Sequence, residues 1–180
     1  MLLQMLRRRP FLSNVIFGSV IVSTGDFVAQ FAVERKSLSE YDFLRTGRFA
    51  VLSFFICSPI VCKWYALLER HIPPSRFKAL KQVAIDQTCF DPCFYVLALV
   101  SLRLLEGDSP RESWEKCQRD WFDVWSTSVK VWPFSQLVNF YLVPPPFRFL
   151  YVQVMALFWN TYLSYRTHIE MSSGHHEKQD

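Results

Sequence analysis

Residues 12–33, LSNVIFGSVIVSTGDFVAQFAV, form a long apolar stretch with a single charged residue, Asp26. A helix needs about 20 mostly apolar residues to cross a bilayer, and this stretch is long enough. On a helical projection, four of its polar residues share an arc of about 60°: Ser19, Ser23, Asp26 and Gln30. A soluble helix has a broad polar face, whereas this one has a narrow polar stripe on an apolar cylinder. The stretch therefore predicts a membrane helix whose polar stripe faces away from lipid.

Similar apolar stretches follow along the rest of the chain. Each carries at most two charged residues, and they cover 49–68, 83–102, 131–147 and 149–165. Of the 180 residues, 51% are apolar and only 5 are Gly, which excludes a disordered chain and disfavours a many-turned β protein. We therefore predict an all-α fold, a multi-pass membrane helical bundle of four to five helices kinked at prolines. It covers residues 12–169, between a basic N-terminal flank (1–11) and a polar, disordered tail (170–180).

Capping residues indicate where the second and third helices begin. Ser39 and Asp42 resemble a capping box, so the second helix is expected to start near residue 40. It should end near His71, because two prolines follow directly. Ser75 is the expected cap of the third helix.

Gly107 suits the end of the third helix, and the motif SPRE at 109–112 predicts a capped start for the fourth. The fifth helix is expected from about 147 to 168, after a run of three prolines. Pro59, Pro92 and Pro133 fall inside the second, third and fourth apolar segments. Each removes a backbone hydrogen bond, so we expect bends that either adjust packing or shape a cavity.

Polar stripes also occur on the third, fourth and fifth helices. The residues expected in the polar interior of the bundle are Asp26, Gln30, Asp91, Gln136, Asn139, Gln153 and Asn160. Two interpretations are open: hydrogen bonds that hold helices together, or the lining of a hydrated pathway. The carboxylates favour the pathway, because buried charge is costly in a membrane. Lys63 and Lys130 are the expected counter-charges.

Five cysteines are present, and three of them are redox candidates. Cys89 and Cys93 lie four residues apart in apolar surroundings, where ordinary buried thiols are expected. Cys117 lies on the polar start of the fourth helix and is expected to be the most accessible to an oxidant.

Catalytic motifs are missing from the sequence. It contains no CxxC, no Cys/His set with zinc spacing, and no GxSxG, HExxH or Walker motif. We therefore expect a protein that is not an enzyme, with no catalytic residues, no metal site and no cofactor.

The charge distribution points to a membrane partner. The net charge is +4, but the Lys and Arg residues lie in short groups between apolar stretches, so we expect no direct nucleic-acid contact. The N-terminus, MLLQMLRRRPF, carries three Arg that either orient the first helix or belong to a mitochondrial address. The basic residues of the loops are too evenly distributed to decide the orientation.

A family resemblance rests on two blocks near the C-terminus. The residues that carry the resemblance in the first block are Trp132, Pro133, Gln136, Asn139, Phe140, Pro144 and Arg148. Those in the second block are Trp159, Asn160 and Tyr162. This pattern resembles the signature of the Mpv-seventeen family, which includes the twenty-two-kilodalton peroxisomal membrane protein. The resemblance is strongest to the mitochondrial members.

The resemblance implies a multi-pass protein of the mitochondrial inner membrane, with the peroxisomal membrane as the alternative. It also implies a non-selective channel that modulates membrane potential, with links to deoxynucleotide pools, mitochondrial DNA maintenance and reactive oxygen metabolism. Small ions or metabolites would then be the permeants, and a homo-oligomer is an open alternative. Competing hypotheses are a non-conducting scaffold that docks through residues 110–120 and a soluble binding protein.

Overall fold

Five long helices make up the part of the chain that the structure, a computed structural model, describes, which is residues 10–143 and 148–176. We number the helices α1 to α5. Helix α1 covers Pro10–Val28 and continues as a π-helical turn, Ala29–Val33. Helix α2 covers Phe43–Leu52, a π-helical turn at Ser53–Cys57, and Ser58–His71. No strand occurs in these residues, which confirms the predicted all-α fold.

Helix α3 covers Lys78–Ile85, a π-helical turn at Asp86–Phe90, and Asp91–Glu106. Helix α4 runs through Pro110–Tyr141 and α5 through Arg148–His176. Within the described part of the chain, three helices are long and apolar enough to cross a membrane: Phe11–Val33, Phe43–His71 and Lys78–Glu106. The predicted multi-pass bundle is therefore confirmed.

Two of the predicted proline bends coincide with π-helical turns. The turn Ser53–Cys57 lies just before Pro59, and Asp86–Phe90 lies just before Pro92. Proline has no N–H, so the carbonyl four residues earlier loses its usual donor, and a wider turn accommodates this gap. Pro133 instead lies within one continuous α-helix.

The capping predictions differ in accuracy from helix to helix. Ser109 forms the predicted capping box with Glu112, and Gly107 ends α3 with a left-handed φ of 100°. The second helix begins three residues later than expected, because Asp42 itself is the cap and accepts a hydrogen bond from the Arg45 N–H (2.9 Å). Helix α3 begins at Lys78 and has no side-chain cap, so the prediction for Ser75 is wrong.

The fifth helix is longer than predicted. It extends to His176, so much of the segment expected to be a disordered tail is helical. Residues 177–180 and most of the predicted N-terminal flank lie outside the described part of the chain.

The helices form a ring in the order of the sequence. Helix α1 packs on α2, α2 on α3, α3 on α4 and α4 on α5, and α5 returns to pack along α1. Successive helices run in opposite directions, so the ends of α1, α3 and α5 lie beside the starts of α2 and α4. Residues from all five helices therefore face the centre of this closed ring.

Candidate functional site

A cavity of about 570 Å³ lies inside the ring, and every helix contributes to its wall. Ligand cavities in proteins span about 300–1,000 Å³, so this one is large enough for a small molecule. Most of the wall is apolar, and all five helices contribute polar groups to it, including Asn14, Ser53, Ser58, Tyr65, Gln82, Asp86, Gln87, Asp91, Gln136 and Asn160. Three predicted interior residues, Asp91, Gln136 and Asn160, thus share one cavity.

Two carboxylates face this cavity from the π-helical region of α3. Asp91 accepts hydrogen bonds from Gln87 Nε2 (2.7 Å) and Ser128 Oγ (3.1 Å). Asp86 accepts from Trp64 Nε1 (2.7 Å) and the Tyr65 hydroxyl (3.0 Å). All four donors are neutral, and no Lys, Arg or His is found among the described residues that line the cavity. The cavity therefore has a negative wall without a built-in cation.

Aromatic rings form a continuous line along the cavity. Trp64 stacks on Phe90 with ring centroids 4.7 Å apart, and Phe90 stacks on Phe94 at 5.1 Å. The line continues through Tyr95 and Trp159 to Trp132, with centroid separations of 6.2 Å at each step. Except for Trp64, all of these rings line the cavity.

A second polar group, the Asp26 cluster, lies one helical turn beyond the cavity. We define it as Asp26, Gln30, Glu34, Arg45, Thr46 and Ser164. Asp26 is fully buried, and its carboxylate lies 2.7 Å from Arg45 Nε. Gln30 Nε2 (3.0 Å) and the hydroxyls of Thr46 and Ser164 also donate to Asp26.

Arg45 is the cation of this cluster and pairs with both of its carboxylates. Its guanidinium donates two hydrogen bonds to Glu34, at 2.7 and 2.9 Å, and one to Ser164 Oγ at 2.7 Å. Although partial burial opposes the effect, hydrogen bonds from Arg45 and Lys36 hold the pKa of Glu34 below its usual range. The cluster joins α1, α2 and α5 at one end of the ring.

The same end of the ring holds a second buried ion group. Arg103, only 1% exposed, lies 3.2 Å from Asp120 and 3.6 Å from Glu106. Arg103 directly follows the cavity-lining Leu102 in the sequence, but the three charged side chains are not among the residues that line the cavity. Charged side chains from α1 to α4 and the Ser164 hydroxyl of α5 thus lie together at this end of the ring.

The close approach of α1 and α5 depends on Gly25. A Cβ atom at this position would lie 2.6 Å from the Asn160 Cβ and 3.1 Å from its backbone carbonyl carbon. No side chain fits there, so glycine allows Asp26 to reach Ser164 on the neighbouring helix.

The predicted counter-charges need correction. Lys63 and Lys130 are both exposed, on the outer sides of α2 and α4. The cation that the structure pairs with Asp26 is Arg45, and Asp91 has neutral partners instead. Arg45 was not predicted as a counter-charge; it lies in the first turn of α2, outside the apolar stretch 49–68.

The other predicted residues, from the polar interior and from the family signature, fall into three groups. Asp26 and Gln30 belong to the Asp26 cluster and not to the cavity wall. Asn139 is buried, and its Nδ2 lies 3.4 Å from Gln136 Oε1. The side chains of Gln153, Phe140 and Arg148, and the whole of Pro144, lie outside the described residues.

The cysteine expectations are reversed in the structure. Cys117 is only 2% exposed, whereas Cys89 and Cys93 are exposed on the outside of α3. Cys117 is covered because the start of α4 packs against α3, and its thiol points to the Val96 carbonyl at 3.9 Å. Cys57 and Cys62, which the sequence analysis did not select, line the cavity.

Known proteins match nearly the whole chain. The mitochondrial inner membrane protein Mpv17 of Caenorhabditis elegans is 40% identical over 167 residues, covering 90% of this chain and 91% of the relative. The human protein of that name is 38% identical, covering 91% and 93%. Protein sym-1 of Neurospora crassa is 37% identical, covering 89% and 93%. Residues 103–164 match the model of the Mpv17 / PMP22 family, and no solved structure matches. Fold and cavity together define a small multi-pass helical membrane protein.

This chain belongs to the Mpv17 / PMP22 family, which confirms the resemblance found in the sequence. Its apolar helices and its similarity to inner-membrane relatives make it an integral protein of the mitochondrial inner membrane. The predicted location is therefore confirmed.

Proposed function

We propose that this protein is a channel of the inner membrane and that the cavity inside the helix ring is part of its path. The observation that carries the proposal is the cavity itself, which all five helices enclose and which three predicted lining residues share. Polar and ionisable groups inside a membrane bundle are costly, and they usually mark a substrate or ion pathway. No catalysis and no resident cofactor is part of the proposal.

The Asp26 cluster and the Arg103 group close one end of this path. Asp26 lies about one helical turn beyond the cavity-lining Val22 of α1, and Arg103 directly follows the cavity-lining Leu102 of α3. The structure is then that of a closed channel, and opening requires these ion pairs to separate or to rearrange. Small ions or metabolites are the proposed permeants.

Passage of such solutes would modulate the membrane potential. In this proposal, effects on deoxynucleotide pools, mitochondrial DNA maintenance and reactive oxygen metabolism follow from solute passage, without contact between the protein and DNA. Assembly of several copies is compatible with the exposed apolar faces of the ring, such as Phe55 and Phe134. Those faces otherwise contact lipid.

Planar-bilayer recording of the purified protein tests the proposal. The wild type should conduct, and the double variant Asp86→Asn/Asp91→Asn should conduct several-fold less, because rings of carboxylates raise the local cation concentration. Asp123→Asn is the matched control, since Asp123 is exposed on α4 and pairs with Arg166 outside the cavity. A purified protein without conductance would refute the channel, and unchanged conductance in the double variant would refute the assigned path.

A second candidate function is a non-conducting scaffold that docks through the start of α4. One observation favours it: Trp114 is 49% exposed among charged neighbours, as a hot-spot residue of a protein interface would be. Cross-linking in intact mitochondria should then capture a stoichiometric partner, and Trp114→Ala should abolish its capture. If the Trp114→Ala variant captures the partner as the wild type does, docking at this surface is refuted.

A further inference from the structure

The cavity carries a combination of groups that suits one class of ligand. Its wall is largely apolar, two carboxylates with neutral partners lie on one side, and the aromatic line that begins at Phe90 lies beside them. We infer that the cavity binds an organic cation with an apolar body, such as a substituted ammonium group on an aromatic or alkyl arm. The inference rests on the proposed function, since it names the ligand class of the same cavity.

The two cavity carboxylates favour a cationic ligand over an anionic or neutral one. Asp86 and Asp91 accept hydrogen bonds from indole, phenol, amide and hydroxyl donors, none of which neutralises a carboxylate. The Asp26 cluster shows how this protein satisfies a buried carboxylate when no ligand is needed, because Arg45 lies 2.7 Å from Asp26. The α3 carboxylates lack such a partner within the described residues, so a bound cation would supply the missing charge.

The aromatic line favours an organic cation over a hydrated metal ion as the ligand. A cation over an aromatic face is attracted by the ring quadrupole, most strongly when both are removed from water. Phe90, Phe94 and Tyr95 line the cavity on the same helix as both carboxylates. An ammonium group carrying alkyl substituents is weakly hydrated and loses little hydration free energy when it contacts these rings, whereas a small inorganic ion holds its water shell strongly. The apolar remainder of the cavity then accommodates the body of the ligand.

Equilibrium dialysis of the full chain in lipid nanodiscs tests the inference. The probe is benzyltrimethylammonium, and its neutral isostere neopentylbenzene has the same shape with carbon in place of nitrogen. Empty nanodiscs correct for partition into lipid. The cation should bind at least about tenfold more tightly than the isostere, as desolvated cation–π and carboxylate contacts imply. Equal binding of the two probes, or no binding of the cation, would overturn the inference.

Two variants locate the binding. Asp86→Asn/Asp91→Asn should lose at least about tenfold in affinity for the cation, and Phe94→Leu, which keeps an apolar side chain, several-fold. Asp123→Asn should bind as the wild type does. An unchanged affinity in both cavity variants would overturn the assignment to this cavity, even if the wild type prefers the cation.

The outcome is distinguishable from that of the channel experiment. Conductance without cation binding would refute the ligand class and leave the channel intact. Cation binding without conductance would refute the channel, and the cavity would then be a binding site in a non-conducting protein.

Discussion

The Asp26 cluster and the Asp91 side of the cavity both contain carboxylates inside the membrane bundle. Asp26 has a cationic partner, whereas the donors to Asp91 are neutral. Asp26 is fully buried, faces Arg45, and has further donors on three helices. Asp91 has two neutral donors and borders about 570 Å³ of open space. The first arrangement holds helices together, and the second leaves room and charge for a solute. In the proposed channel, the carboxylates without a cationic partner among the described residues therefore mark the path.

Removing the cation of the Asp26 cluster should have the largest effect. Arg45→Gln leaves Asp26 and Glu34 without their guanidinium, and breaking a buried ion pair by removal of one partner costs about 3–5 kcal/mol. We expect a corresponding loss in the free energy of unfolding, measured by denaturant titration in detergent. Arg111→Gln is the control, since Arg111 is 90% exposed and pairs only at the surface.

If Arg45→Gln unfolds like the wild type, the cluster does not hold the helices together. The contrast with the cavity would then fail. The double variant Asp26→Asn/Arg45→Gln should recover part of the loss, because it leaves one fewer buried charge unpaired.

Close packing at the Asp26 cluster gives the next largest effect. Gly25→Ala places a Cβ 2.6 Å from that of Asn160, so α1 and α5 have to separate, at a cost of about 1–3 kcal/mol. Gly47→Ala is the matched control, because nothing lies within 4 Å of a Cβ there. The better helix propensity of alanine should make this control neutral or stabilising by up to about 1 kcal/mol. Thermal unfolding of both variants measures the difference, and equal behaviour would contradict the close approach.

Neutralising a cavity carboxylate should have the smallest effect on stability. Asp91→Asn keeps the side-chain shape and an acceptor for Ser128, and it removes a charge that lacks a cation. We expect the free energy of unfolding to change by less than about 1 kcal/mol, or to rise, since an unpaired buried charge is unfavourable. A loss as large as that of Arg45→Gln would show that Asp91 is structural, and the comparison between the two regions would lose its basis.

The fold was largely predictable because apolar length and capping chemistry are local properties. The stretch containing Asp26 and the capping box at Ser109 each determine their helix without tertiary information. The polar stripes also indicated which residues face inward, since Asp26, Asp91 and Asn139 are buried. The position of each stripe within the ring was not predictable, because it depends on which helices pack together.

Asp86 shows why the cavity wall was harder to predict. On a regular α-helix, residues five apart point in directions about 140° apart, so Asp86 and Asp91 would not share a face. The π-helical turn Asp86–Phe90 takes more residues per turn and brings both carboxylates to the cavity. The pairing of Arg45 with Asp26 was not predictable for a different reason, because Arg45 lies outside the apolar stretches and its distance from Asp26 depends on how α1 and α2 pack.

Chemical labelling of the cavity cysteines tests whether the cavity is a water-accessible path, on which the proposed channel depends. Cys57 and Cys62 line it, whereas Cys117 is buried elsewhere, so a Cys89→Ser/Cys93→Ser protein presents cavity thiols alone. A water-soluble cationic methanethiosulfonate applied during bilayer recording should label this protein, as seen by intact mass, and reduce its conductance. Further replacement of Cys57 and Cys62 by serine should remove both effects. Conductance that persists unchanged after complete labelling of Cys57 and Cys62, or thiols that react only after unfolding, would contradict the account.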